Sequence, residues 1–354
     1  MGTMASFTLF AAPCAGESKE VIPAAGVDGK LRAALGEACY ALHRADAVFS
    51  TWDPASPMSR LRRGNASMAE MPPEVAEVLA LCEFAREASR GWFDPWAMPG
   101  GLDPTGLVKG WAVEHALSVL ENATLNPGRP NPGPAAPGPA NPGPADSGPA
   151  NPGSAGPELQ GADRHGCSLL TGAMLDVGGD IATFGAPGTS EEGGKWRVGI
   201  RNPWDPHALA CILETDAAVA TSGTYERGEI LIDPRTGEPA CRCASATVTG
   251  PSLAMADALA TALAVAGADG MDWFGSLAGY EAYLILPDAT ALMTQGLDLA
   301  GQMVAVPVPG SWSPPAISAS APRSAAAGHL AGGAIPPSTT CSVGGEVNET
   351  FQGR

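Results

Sequence analysis

The amino-acid sequence predicts an α+β fold, and three observations carry that prediction. Strand-like runs crowd into the second half of the chain, after residue 168. Helical periodicities flank them, at 30–47, from Pro72 to Gly91 and at 253–266. No G-x-G-x-x-G or G-x-x-x-x-G-K-[ST] string opens a helix, so neither common nucleotide-binding loop of the alternating α/β folds is present.

In chain order, residues 5–11 read as a short strand. Lys30 to Ala47 then carries Leu31, Ala34, Leu35, Ala38, Leu42 and Ala45 at helical spacing. The segment FSTWDPASPMSRLRRG (49–64) reads as an irregular loop because Pro54 and Pro57 interrupt the pattern. Pro72-Pro73 starts a second helix, since Pro is tolerated in a first turn. Its apolar face is Val75, Val78, Leu79, Leu81, Cys82 and Ala85, and Gly91 ends it. GWFDPWAMPGGLDPTGLVKGWAVEHALSVL (91–120) is a Gly- and Pro-rich loop entering another helix.

Residues 126–157 hold 11 Pro and 7 Gly in 32 positions and nothing apolar larger than Ala. Such a stretch cannot build a core, and a disordered surface insert is expected. Beyond it, SLLTGAMLDVGGDIATFG (168–185) reads as strand, glycine turn, strand. WRVGIRNP (196–203), CILETDAAVATSG (211–223), GEILIDP (228–234) and ASATVTG (244–250) add strand-like runs. A helix spans 253–266, a shorter one lies near 272–278, and EAYLILP (281–287) is the last strand. From residue 302 to Arg354 a Pro/Ala/Ser/Gly-rich tail is expected to be disordered. Without insert and tail roughly 270 residues remain, enough for one large domain or two small ones.

Charge narrows the partners. Asp and Glu number 37 against 20 Lys and Arg, a formal net charge of −17. Such a surface repels phosphate backbones, and no basic cluster with interleaved aromatics appears, so nucleic acid is not an expected partner. No uninterrupted apolar run approaches the roughly 18 residues of a membrane span. The start, MGTMASFTLFAAPC, has no positive segment before its short apolar stretch, so no secretory signal is read. Eight cysteines stand at 14, 39, 82, 167, 211, 241, 243 and 341. Only Cys241 and Cys243 are close, and C-x-C without a second pair is a poor zinc signal. A reducing cytoplasm fits this usage.

Three loops combine carboxylates with small, flexible residues. The first joins Phe93-Asp94-Pro95 to Asp103-Pro104-Thr105-Gly106 and Lys109-Gly110. Its glycines allow close backbone approach to a ligand, and Lys109 is either a point charge for a phosphate or a solvated surface lysine. The second, Asp176-Val177-Gly178-Gly179-Asp180, is either a tight hairpin or a backbone concavity for anions. The third runs from Ala220-Thr221-Ser222-Gly223 to Asp233-Pro234-Arg235-Thr236-Gly237. Downstream, Asp257 and Thr261 stand four apart and so share a helix face. A carboxylate and a hydroxyl together suit a hard cation, although the same pair often only caps or hydrogen-bonds.

Taken in order, these strings resemble the ApbE family of FAD:protein FMN transferases. The residues that carry the resemblance are Met1-Gly2-Thr3, FSTWDPASPMSRL, GWFDP, DPTGLVKG, GGD, WRVGIRNP, ATSGTYER, ILIDPRTG and VTGPSLAMADALATA. They span residues 1–301 outside the insert, with 302–354 apart as a low-complexity tail. The resemblance implies a central, mostly antiparallel sheet flanked by helices. It implies FAD held around Met1, Trp52, Trp92, Phe93, Asp94, Lys109, Ser222, Leu231 and Ile232. It also implies Mg2+ on Asp257 and Thr261, with the Gly106 carbonyl. Asp257 and Lys109 would then serve catalysis, in which a Ser or Thr hydroxyl of an acceptor protein takes FMN and AMP leaves.

One position departs from the family pattern. Ile230 stands where the family has His, the obvious base for the incoming hydroxyl, and Ile takes no proton. Glu226, Glu229 and Asp233 are the nearby carboxylates open to replace it, and Glu226 is the one singled out. The departure leaves other uses of the same fold open: FAD kept as a redox or tailoring cofactor, FAD hydrolysed to FMN and AMP, or flavin bound without turnover.

Overall fold

The computed structural model describes residues 4–11, 29–125, 170–188, 194–223, 231–240, 242–300, 339–342 and 346–352. The insert at 126–157 and most of the tail lie outside the described residues. The first half supplies β1 (Met4–Ala11), α1 (Gly29–Phe49), α2 (Pro57–Arg62), α3 (Pro73–Ala88) and α4 (Thr105–Leu125). The second supplies β2 (Leu170–Val177), β3 (Asp180–Gly185), β4 (Trp196–Asn202), β5 (Asp205–Thr215), β6 (Ala218–Gly223) and β7 (Ser245–Gly250). There follow α5 (Leu253–Ala266), α6 (Met271–Phe274), β8 (Glu281–Ile285) and β9 (Ala291–Met293), then β10 (Thr339–Ser342) and β11 (Glu346–Gln352).

Nine strands form one sheet in the order β10-β11-β1-β2-β3-β6-β7-β8-β9, and every pairing is antiparallel. Strands β4 and β5 make a separate two-stranded sheet. In β4 buried Trp196, Val198 and Ile200 alternate with exposed Arg197, Gly199 and Arg201, the period of a strand with one wet face. That face joins Leu213, Val219, Tyr283 and Ile285 in a small apolar cluster. The fold is the mixed helix and antiparallel sheet that the sequence predicts.

Helix α5 is the centre of the main core. It packs on α3 and α4 on one side and on β6 and β7 on the other. Strand β7 is buried along its whole length beneath it. Ser252 caps its start by accepting the Met255 amide, and Gly267, at φ 64°, ends it. Leu253–Phe274 is apolar and long enough to cross a membrane by composition alone, yet 83% of that window is buried inside the protein. Its hydrophobicity is that of a core helix.

Four local differences from the sequence expectations have physical causes. Pro57 stands at the first turn of α2 with Ser56 as its cap, so a proline that reads as a breaker starts a helix. The run 211–223 is two strands: the chain bends at Asp216-Ala217 and passes from one sheet to the other. Of 228–234, residues 228–230 lie outside the described residues, and Ile232 makes only an isolated bridge to Pro239. Within the tail, β10 and β11 continue the main sheet beside β1. There, Thr339, Thr340, Val347, Thr350 and Phe351 supply strand-forming residues in a low-complexity background.

A cavity of about 730 Å³ opens between α4, the start of α5 and the β3, β6 and β7 ends away from Asp180 and Ser222. Glu114, Thr183, Asp216 and Glu281 line it, and none of the sequence-predicted site residues does.

Candidate functional site

The site grows from the crossing of α4 and α5. The loop before α4 is tied down by Arg62, which donates to the carbonyls of Gly100 (2.8 Å) and Pro99 (2.6 Å) and to Asp103 Oδ2 (3.1 Å). Asp103 Oδ1 in turn accepts from the Thr105 amide (3.2 Å) and hydroxyl (2.6 Å), capping α4. Gly106 and Gly110 then lie one turn apart on the face that meets α5. A Cβ on Gly110 would fall 2.4 Å from the Leu253 carbonyl oxygen and 2.9 Å from Asp257 Cβ. One on Gly106 would press on Phe93 Cε2 at 3.2 Å, with Thr261 next at 3.6 Å. The G-L-V-K-G string is therefore what lets the two helices touch, and it leaves Lys109 beside the contact.

Asp257 is buried, and its Oδ2 accepts the Gly110 amide at 3.0 Å. Thr261 is the one residue of α5 outside the buried set. Its hydroxyl is 3.2 Å from Ser222 Oγ at the end of β6. Lys109 Nζ lies 3.1 Å from Oδ2 of Asp180, whose side chain is fully buried at the start of β3. Burial raises the Asp180 carboxyl above the usual carboxylate range, and the Lys109 ammonium partly opposes that. Burial also pushes Asp257 up strongly; the neighbouring Asp180 charge adds to this, while Lys109 and the Gly110 amide oppose it. Two carboxyls and one ammonium thus meet where α4, α5 and β3 pack together.

The glycine turn before Asp180 resolves as a hairpin. Gly178 (φ 61°) and Gly179 (φ 89°) both have the positive φ of a type I′ turn, and the Gly179 amide donates to Asp176 Oδ1 at 2.9 Å. That amide is spent within the turn.

A second group gathers around Trp92. The Arg235 guanidinium carbon is 3.1 Å from the ring centroid of Trp92, and that of Arg242 is 5.4 Å away. Arg235 also grips buried Asp233 with Nε (3.0 Å) and Nη2 (2.9 Å), and this pairing holds the Asp233 carboxyl below its ordinary range. The turn closes where the amide of Gly237 (φ 72°) donates to the Asp233 carbonyl at 2.8 Å. It carries Leu231, half-buried against the core, and Ile232. Phe93 is buried under Gly106, and Asp94 Oδ1 accepts the Trp96 amide at 2.9 Å.

The structure therefore brings Gly106, Lys109, Asp257, Thr261, Ser222 and Phe93 together. Leu231, Ile232 and Trp92 form the neighbouring group. Trp52 stands 93% exposed before α2, too open to pack on any of them. Met1, Glu226 and Ile230 lie outside the described residues. Sequence reasoning gave Asp180 no site role, although an Asp directly after a glycine turn and an apolar strand was its signal. It also left Arg235 without a role beside Trp92.

The donor set fits a hard cation. Among the described residues no three His, Cys, Asp or Glu side chains gather as a metal-ligand set. The groups present are carboxylate, hydroxyl and backbone oxygens, which suit Mg2+ completed by water and phosphate.

The chain is similar to known proteins over much of its length. The model of the ApbE family matches residues 1–100 and 163–284. An FAD:protein FMN transferase of Rhodobacter capsulatus is 35% identical over 125 residues, 33% of this chain and 23% of its own length. One of Vibrio cholerae is 38% identical over 105 residues, 27% of this chain and 30% of its own. The chain thus spans less than a third of the curated relatives it matches. Among solved structures, the ApbE protein of Thermotoga maritima superposes with a TM-score of 0.55 at 18% identity, covering 75% of this chain and 89% of that one. The flavin transferase ApbE of V. cholerae gives 0.53 at 18%, covering 82% and 97%. The flavinyl transferase ApbE of Pseudomonas stutzeri gives 0.54 at 20%, covering 82% and 94%. These structures share the fold, and the family match extends over more than half of the sequence. The chain belongs to the ApbE family.

Proposed function

We propose that this chain transfers FMN from FAD to a Ser or Thr hydroxyl of an acceptor protein, with Mg2+ as cofactor and AMP as the product released. The observation that carries the proposal is the convergence of Lys109, Asp257 and Thr261 at the crossing of α4 and α5. In this reading Lys109 pairs with the FAD diphosphate, and Trp92, Phe93, Leu231 and Ile232 offer apolar surface to the flavin. Asp94, Ser222, Met1 and the exposed Trp52 complete the flavin contacts. Asp257, Thr261 and the Gly106 carbonyl hold the cation. Bound Mg2+ would neutralise the diphosphate and make its phosphorus more electrophilic.

The bond that forms joins the acceptor oxygen to the phosphorus of the FMN half. The bond that breaks is the bridging P–O to AMP. The hydroxyl proton goes to a base, and because Ile230 cannot accept it, Glu226 is the group assigned that task. A second reading rests on Ile230 itself: without the family's His, water in place of a protein hydroxyl would give FMN and AMP.

The test is incubation of the chain with FAD and Mg2+, with and without an acceptor carrying a Ser/Thr-Gly-Ala-Thr site. Covalent flavin on the acceptor with equimolar AMP supports transfer. AMP without covalent flavin supports hydrolysis, and intact FAD overturns both.

A further inference from the structure

We infer that Asp180 is a positioning residue for Lys109: it fixes the ammonium before the flavin diphosphate arrives. The inference rests on the proposed binding of FAD, and it goes beyond it by giving work to a residue outside the set implied by the family motifs for FAD and the cation. Lysine is a point charge on a flexible four-carbon stem, and left alone it must be ordered each time it meets a phosphate. Here the stem leaves α4 next to Gly110, and its tip lies 3.1 Å from Asp180 Oδ2 with a quarter of the side chain exposed. Asp180 is 0% exposed, so the pair has a buried anchor and an accessible charge.

Asp176 and Asp257 also feel the Lys109 charge, but each is already held by a backbone amide, Asp176 by that of Gly179 at 2.9 Å. Asp257 already receives the Gly110 amide at 3.0 Å, which holds it toward the helix crossing. Asp180 is delivered from a different direction, by the rigid Gly178-Gly179 hairpin whose turn is locked by Asp176. Ile181 pairs with Val219, so β6, which also carries Ser222, fixes the same strand. Asp180 thus sets Lys109 relative to Ser222 and Thr261 through backbone, not through a chain of mobile side chains.

A double-mutant cycle on FAD affinity, read by flavin fluorescence in buffer containing a chelator, tests this without turnover. Asp180→Asn and Lys109→Met should each weaken FAD by about tenfold, and the double variant by the same tenfold, because the two act as one unit. A role confined to stability predicts independent losses that multiply. Should Asp180→Asn fail to fold, Asp180→Glu keeps the charge and lengthens the arm, and it must weaken FAD by displacing the ammonium. Unchanged or tighter FAD binding in the folded Asp180 variant, or multiplying losses, overturns the inference while leaving FAD binding intact. Absence of FAD affinity in the wild-type chain, with and without Mg2+, overturns the proposed function and this inference with it.

Discussion

The Gly110 amide donates to Asp257 Oδ2 at 3.0 Å, joining residues 147 positions apart. This one bond links the loop-entry helix of the first half to the core helix of the second. It also places the carboxylate next to Lys109 and one turn from Thr261. The site depends on how closely these two helices approach.

That closeness is directly testable. In Gly110→Ala the new methyl meets the Leu253 carbonyl oxygen, which is backbone and cannot swing away. The variant should lose about 1–3 kcal/mol in urea denaturation, the usual cost of overpacking. Gly36→Ala, on an exposed face of α1 with nothing within 4 Å, should be neutral or gain up to about 1 kcal/mol. Equal stability of the two variants contradicts the packing described.

Glu114 gives a pH signature. Burial raises its carboxyl above the ordinary 4.5, against hydrogen bonds from the Ala254 amide and the Ser252 hydroxyl. The folded state therefore holds the proton more tightly than the unfolded chain. Stability is unaffected well below pH 4.5 and falls as pH rises through 4.5 toward the higher folded value. Glu114→Gln should remove that share of the fall, so the two stability curves diverge above pH 4.5 with the variant the more stable. Parallel curves contradict the assignment.

Trp92 should matter to flavin and not only to folding. With Arg235 packed against it, Trp92→Leu should weaken FAD by about tenfold while preserving the far-ultraviolet circular dichroism. Full affinity in that variant would remove Trp92 from the flavin contacts.

The missing family base leads to a gain-of-function prediction. Ile230→His should accelerate FMN transfer, by up to about 10²–10⁴-fold if proton removal limits the rate. If the rate does not change while Glu226→Gln abolishes it, Glu226 already serves as base. No effect of either substitution contradicts the assigned proton path.

Much of this was legible in the sequence, for local reasons. The 253–266 helix and the alternation of Trp196, Val198 and Ile200 are periodic signals, and both elements stand where the pattern puts them. Asp257 and Thr261 share a face because helical geometry makes them do so. What stayed hidden depends on contacts between distant segments. Nothing local to Asp180 says that it is buried against a lysine 71 positions earlier. The stacking of Arg235 on Trp92 is equally non-local. The break at Asp216-Ala217 was invisible because both flanking runs look like strand, and only their assignment to different sheets separates them.

The most direct test of the central claim is the linkage between Mg2+ and FAD, measured by calorimetric titration of each into the wild-type chain with and without the other. Oxygen ligands shared between Asp257, Thr261 and the diphosphate require each ligand to tighten the other by the same factor. Asp257→Asn should erase that factor. FAD affinity that is identical in Mg2+ and in chelator, or a linkage that survives Asp257→Asn, would contradict the account.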